Sequence, residues 1–166
     1  MPLDMPDGSL SFVDTNVLVY HFVEQPRFSQ ECRRFLGRVV AGEVTAVSAA
    51  SVVADAVHKV MAEEARLRHS RDNGTVRFLQ RHPAEITELT AFVEAARQLE
   101  RLPIRLLAVD PTIIREAAEL SQQHGLLTND AIIVALMQRH GITQLATNDD
   151  DFDRVPWITV WKPRPE

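Results

Sequence analysis

Ser11-Phe12-Val13-Asp14-Thr15-Asn16-Val17-Leu18-Val19-Tyr20 is an apolar run interrupted once, by Asp-Thr-Asn. A short hydrophobic stretch that breaks into small polar residues reads as a buried strand ending at a polar turn. Thr15 or Asn16 is placed to cap a short helix made by the second half of the run. A strand that hands directly to a helix is the opening unit of an α/β protein.

Outward from that unit, the same alternation repeats. Ser29 to Ala41 has Cys32, Phe35, Leu36, Val39 and Val40 at helical spacing, and Gly42 stops it. Val44 to Val47 reads as a strand, and Ser48 to about Glu64 as a helix with Val52, Val53, Ala56, Val57 and Val60 buried. Ala65 to His82 is arginine-rich, with an Asn73-Gly74 turn. A helix is expected from about Ala84 to Arg101, and a strand over Leu106-Leu107-Ala108-Val109. Asp110-Pro111 pairs an N-cap with a proline at the first helical position, starting a helix that reaches His124. Asn129-Asp130 opens the apolar helix Ala131 to Arg139. Thr143 to Ala146 is a strand, Thr147 to Arg154 a polar loop or helical turn, and Ile158 to Trp161 a last strand. The order β-α-α-β-α-α-α-β-α-α-β-β predicts an α/β fold: a central parallel sheet of about five strands with helices on both faces.

The 166 residues suit one domain spanning 1–166, and 45% hydrophobic with 25% charged residues is ordinary for a globular chain. The lone Cys32 cannot make an internal disulfide, which points to a reducing, cytoplasmic setting. No apolar run nears the ~20 residues of a membrane span. The start, Met1-Pro2-Leu3-Asp4-Met5-Pro6-Asp7, is acidic and broken by proline, unlike a signal peptide. The net charge of -5 argues against a general polycation, so any nucleic-acid contact must be local.

Parallel sheets bind ligands at the carboxyl ends of their strands. Asp14 follows the first strand, Asp55 lies on the helix after the second, Asp130 opens a later helix, and Asp149 follows the fourth strand. Asp150 and Asp151 adjoin it. Carboxylates gathered without counter-charges raise each other's pKa, and a divalent cation relieves this. Oxygen-only ligands suit Mg²⁺ or Mn²⁺. A zinc site is not competitive, with a single cysteine and no His-x-x-x-His pair. Two such ions would suit in-line attack on a phosphodiester.

Four segments in order resemble the PIN domain, a metal-dependent nuclease family that includes the VapC ribonuclease toxins. Phe12-Val13-Asp14-Thr15-Asn16-Val17-Leu18 is similar to its opening motif. Val47-Ser48 through Asp55 resembles the segment in which a serine precedes an acid by seven positions. Leu127-Thr128-Asn129-Asp130-Ala131 resembles its third acidic motif, and Leu145-Ala146-Thr147-Asn148-Asp149-Asp150-Asp151-Phe152 its Thr-x-Asp-x-Asp-Phe ending. The first and last motifs are the more specific, and the likeness runs from about Ser11 to Val160.

The resemblance implies a catalytic, metal-binding set of Asp14, Asp55, Asp130 and Asp149, with Asp151 as an auxiliary acid. It implies that Asn16 and Thr147 orient those carboxylates. It also implies hydrolysis of RNA, a toxin–antitoxin role, a small antitoxin partner and a homodimer. The chain departs from the family at Asp55, where glutamate is usual. One methylene less is ~1.5 Å of reach. The segment from about Met61 to Arg105 is a longer, arginine-rich helical insertion.

Each feature also has a plainer reading. An Asp after a strand is often a helix cap, and Asp130 in a first turn is favoured by the helix dipole alone. Asp55 as a solvated residue, His58 as a structural histidine, Cys32 as inert filling and Trp157 and Trp161 as packing are the corresponding alternatives. Arg66, Arg68, Arg71, Arg77 and Arg81 face one acid, Asp72, in their segment and match phosphate well. The alternative is a solvated face. Of 18 basic residues only two, Lys59 and Lys162, are lysines, so arginine richness alone says little.

Two rival functions remain on sequence grounds. A degenerate PIN domain, weakened at Asp55, would bind RNA or protein without cutting. A phosphatase of the haloacid-dehalogenase type needs an Asp two residues after the first, where Asn16 stands, and a well-placed lysine.

Overall fold

The computed structural model describes residues 1–70 and 73–164. Five parallel strands form one sheet in the order β3-β2-β1-β4-β5. They are β1 (Leu10–Val13), β2 (Thr45–Ala49), β3 (Ile104–Leu107), β4 (Gln144–Ala146) and β5 (Thr159–Trp161). The chain builds outward from β1 through β2 to β3, then returns to the other side of β1 with β4. The strand order therefore reverses between β1 and β4, and that reversal opens a crevice at the strands' carboxyl ends.

The centre of the sheet is dry because its residues leave nothing to solvate. Phe12 and Val13 of β1, Val47 of β2 and Leu145 and Ala146 of β4 are fully buried. Such runs without alternation are the mark of strands covered on both faces. Ser11 is buried too, and its hydroxyl donates to the Phe12 carbonyl at 3.0 Å.

Among the described residues there are eight helices, of which α1 (Thr15–Phe22), α2 (Ser29–Val40) and α3 (Ala50–Arg68) pack together with α6 (Ala91–Arg101). α7 (Pro111–His124) and α8 (Thr128–Arg139) form a second packed pair. Cys32, Phe35, Leu36 and Val39 enter the core as the spacing of α2 predicts. Burial pushes the Cys32 thiol up to about 12, which leaves it unreactive. Trp161 is packed in the core while Trp157 remains partly exposed. Among the described residues no helix is long and apolar enough to cross a membrane.

Three boundaries differ from the sequence expectation. Asp14, not Thr15 or Asn16, caps α1, accepting the Thr15 N–H at 2.6 Å. The third strand lies two residues earlier than expected, over Ile104–Leu107. It is an edge strand with Arg105 and Leu106 exposed, so pairing with β2 defines it and hydrophobicity does not. Ala108 and Val109 instead lead to Asp110, whose carboxylate caps α7 at the Ile113 N–H, 2.9 Å away. α8 begins at Thr128, placing Asp130 inside its first turn.

The expected helix from Ala84 to Arg101 is two helices, α5 (Pro83–Thr87) and α6. Leu89 breaks it by turning into a small cluster with Ala65 and Leu79. Glu64 of α3 then caps α6, accepting the N–H groups of Thr90 and Ala91 at 2.8 and 2.9 Å. The arginine-rich stretch extends α3 to Arg68 and supplies α4 (Thr75–Arg81). Gly74 (φ +72°) makes the left-handed turn before α4, which a side chain would strain.

Candidate active site

Val13 of β1 pairs with Ala146 of β4, so the next residues, Asp14 and Thr147, stand side by side at the strand ends. The Asp14 carboxylate is the hub. It accepts the Thr15 N–H at 2.6 Å, the Asn16 amide at 2.6 Å and the Thr147 hydroxyl at 2.7 Å. Thr147 Oγ1 in turn accepts from the Asn16 amide at 2.9 Å and the Asp149 N–H at 3.0 Å. One hydroxyl thus makes all three bonds open to it. Asn16 Oδ1 accepts the Asn148 N–H at 2.8 Å, tying α1 to the loop after β4.

Asp14 is only 6% exposed. Burial raises its pKa, against the opposing effect of the hydrogen bonds from Thr147 and Thr15. Asp14 is thus a helix cap that also lines the cleft described next.

Beyond the strand ends lies a cleft of about 530 Å³, lined by Asp14, Asn16, Asp55, Lys59, Asp130 and Asp149 among others. Asp149 Oδ1 accepts the Asp151 N–H at 2.8 Å, which folds the single 3-10 turn Asp151–Arg154 back toward the cleft. Asp130, Asp149 and Asp151 each present a carboxylate oxygen, and these lie within 4.8 Å of one another. The crowding is expressed in Asp130, whose pKa is pushed up to about 6 by burial first, then by Asp14, Asp149 and Asp151. Three hard oxygen donors this close, of which only Asp151 has a cationic partner among the described residues, in Arg154 at 2.7 Å, fit a divalent cation of the Mg²⁺ or Mn²⁺ kind.

The remaining sequence candidates fall differently. Asp55 lines the cleft, but its carboxylate is engaged by Lys59 at 3.0 Å, one turn along α3. Asp150 and Asp153 turn away to Lys162, at 2.5 and 2.6 Å. His58 is exposed and does not line the cleft. Among the arginines, Arg66 makes a two-pronged contact with Glu63 at 2.7 Å and 2.7 Å, and Arg68 donates to the Glu88 carbonyl at 2.8 Å. Arg77 and Arg81 are exposed on α4, and Arg71 lies outside the described residues. Glu63, on the same helix just before the segment, thus offsets part of a charge that looked unopposed within its own segment.

Sequence reasoning passed over Lys59 as a site residue. The signal was available: a lysine four positions after an acid on one helix face meets it. Arg154, 2.7 Å from Asp151, was missed for the same reason.

The family model of the PIN domain matches residues 11–158. The chain belongs to the PIN domain family. Ribonuclease VapC6 of Methanocaldococcus jannaschii is 37% identical over 59 residues, which is 36% of this chain and 39% of that protein. The chain therefore aligns with well under half the length of that relative. Ribonuclease VapC2 of the same organism is 22% identical over 149 residues, 90% of this PIN chain and 91% of the relative.

Two solved PIN-fold structures superpose on nearly the whole chain. VapBC2 of Rickettsia felis, solved with a DNA fragment from its promoter, gives a TM-score of 0.58 at 16% identity, covering 93% of this chain and 98% of that one. The VapC20 toxin of Mycobacterium tuberculosis, a sarcin–ricin-loop-cleaving toxin, gives 0.61 at 17% identity, covering 90% and 97%. At those identities the likeness speaks for the fold.

Proposed function

We propose that this PIN protein is a metal-dependent endoribonuclease that hydrolyses RNA phosphodiester bonds, and that it is the toxin of a VapBC-type pair held in check by a small antitoxin. The observation that carries the reading is the meeting of Asp130, Asp149 and Asp151 within 4.8 Å at the strand-order reversal, beside the buried Asp14. The ribonuclease names of the relatives, and the toxin–antitoxin origin of the fold neighbours, support it. In this reading residues 1–166 form one PIN unit, a second copy completes a homodimer, and the helical addition at about 61–105 guides the RNA backbone through Arg77 and Arg81. Arg66 and Arg68 serve there only after exchanging their acidic partners for phosphate.

A bound Mg²⁺ or Mn²⁺ would supply the charge that polarises the phosphodiester and the acidity that makes a water nucleophilic near neutral pH. The chain's own residues do the rest. Asp130, Asp149 and Asp151 hold the ion. Asp14, locked by Thr147, Asn16 and the start of α1, keeps its carboxylate aimed into the cleft.

Labelled single-stranded and structured RNA, incubated with the purified protein and Mn²⁺, Mg²⁺ or EDTA, tests this. Cleavage in either metal, lost in EDTA and in Asp14→Asn, is expected. Absence of cleavage by folded, inhibitor-free protein, with metal bound, would remove the catalytic reading for those RNAs.

A further inference from the structure

The cleft holds four aspartates from four segments, yet only part of that set is arranged to share an ion. Asp130 and Asp149 converge with Asp151. Asp55, on α3, is not in that group, and its carboxylate is paired with the Lys59 ammonium at 3.0 Å. The usual glutamate at this position would reach further toward the other acids. The shorter aspartate reaches along its own helix to Lys59 instead.

Lys59 is not a bystander of the helix surface. It lines the cleft and also a second hollow of about 280 Å³, bounded by Val19, Tyr20, Glu63 and Arg66. Its ammonium therefore stands where the two meet, with a side chain half-exposed at 52%. A compact ammonium on a flexible stem suits this place better than a planar guanidinium. This chain uses lysine at just two of its 18 basic positions, and one of them is here.

We propose that Lys59 takes the place of a second divalent ion: Asp55 positions its ammonium, which donates to a non-bridging oxygen of the scissile phosphate as charge builds there. The inference rests on the ribonuclease reading and narrows it to a site with one ion and one fixed organic cation. Asp55 is then a positioning residue and Lys59 a catalytic one.

Mn²⁺ binding followed by electron paramagnetic resonance separates the possibilities without any cleavage. One ion per chain is expected in the wild type, still one in Asp55→Asn, and none in Asp130→Asn. Lys59→Met should bind Mn²⁺ about fivefold more tightly, since a neighbouring positive charge is gone. In single-turnover cleavage the same variant should be about 10²-fold slower, as when one preorganised donor is removed, with RNA affinity near the wild-type value. Lys59→Arg should recover part of the rate.

Two ions in the wild type, one of them lost in Asp55→Asn, would overturn the proposal. So would wild-type cleavage by Lys59→Met, or a loss confined to RNA affinity. Should Lys59→Met melt early, the ion count of Asp55→Asn and the rate of Lys59→Arg decide. If the wild type binds one ion but cuts no RNA, the ribonuclease reading fails, while the count still tells whether Asp55 holds metal or lysine.

Discussion

The two walls of the cleft are built in different ways. On the sheet wall, Asp14 and Thr147 are placed by a strand pair and locked by five hydrogen bonds of 2.6–3.0 Å, with both residues buried. On the helix wall, Asp55 is placed by one turn of α3 and held by one ion pair whose side chains are 38% and 52% exposed. The first wall is fixed before any ligand arrives. The second is a surface arrangement that solvent screens and that a phosphate can join. The difference teaches where precision is needed: at the carboxylate that cannot move, and not at the cation that must reach the substrate.

Thr147→Val should break the sheet wall most. It keeps the shape but strands the Asn16 amide and the Asp149 N–H, and takes a donor from Asp14. Orphaning buried polar groups costs about 1–3 kcal/mol each way it is measured, so roughly 2 kcal/mol of stability should go, read by urea unfolding. Cleavage should fall by about 10–100-fold, as when a group that orients a metal ligand is lost. Asp55→Ala should cost under about 0.5 kcal/mol, because exposed ion pairs contribute little. Equal destabilisation by the two variants would erase the contrast between the walls.

How much of this was legible in the sequence follows the same division. The strand-to-Asp transition at Val13-Asp14 and the Thr147-to-Asp151 run are contiguous, so adjacency alone reported the sheet wall. The parallel sheet, its five strands and the family likeness were all readable from such local units. Lys59 was harder to read, because the spacing gives its pairing with Asp55 but not the cleft that the pair lines. The break at Leu89 escaped for a tertiary reason: a buried leucine and a cap supplied by Glu64, 26 residues away, decide it. The arginine patch looked unopposed because Glu63, which pairs with Arg66, stands just before the segment, and Arg68 reaches the Glu88 carbonyl beyond it.

Asp130 sharpens the comparison through pH. Its carboxyl titrates near 3.8 when unperturbed and is pushed up to about 6 in the folded protein. The protonated form therefore favours folding. That contribution is fully present below about pH 3.8 and is lost as pH rises through about 6. Asp130→Asn cannot titrate, so in EDTA it should be more stable than the wild type at pH 7.5 and equal to it near pH 3.5. The gain should be about 1 kcal/mol, discounted because the group is half-buried and partly screened. Thermal melts at the two pH values check the sign. A variant that is less stable at pH 7.5 would show that the acids of the cleft do not repel.

A comparably small effect belongs to the insertion, which borrows its order from α3. α6 has no side-chain cap of its own, and Glu64 supplies one from a neighbouring helix. Glu64→Ala removes acceptors from two backbone N–H groups, but water reaches both, so the cost should be about 0.5 kcal/mol, at the low end for a cap. The change should appear as faster amide exchange at Thr90 and Ala91 and through the first turn of α6, with β1 and β4 unaffected. Because the cleft's fixed wall lies on those strands, metal affinity should stay at its wild-type value while α6 loosens. If exchange quickened in β1 as well, the insertion and the sheet would be one cooperative unit, and the separation between a fixed wall and an adjustable one would not survive.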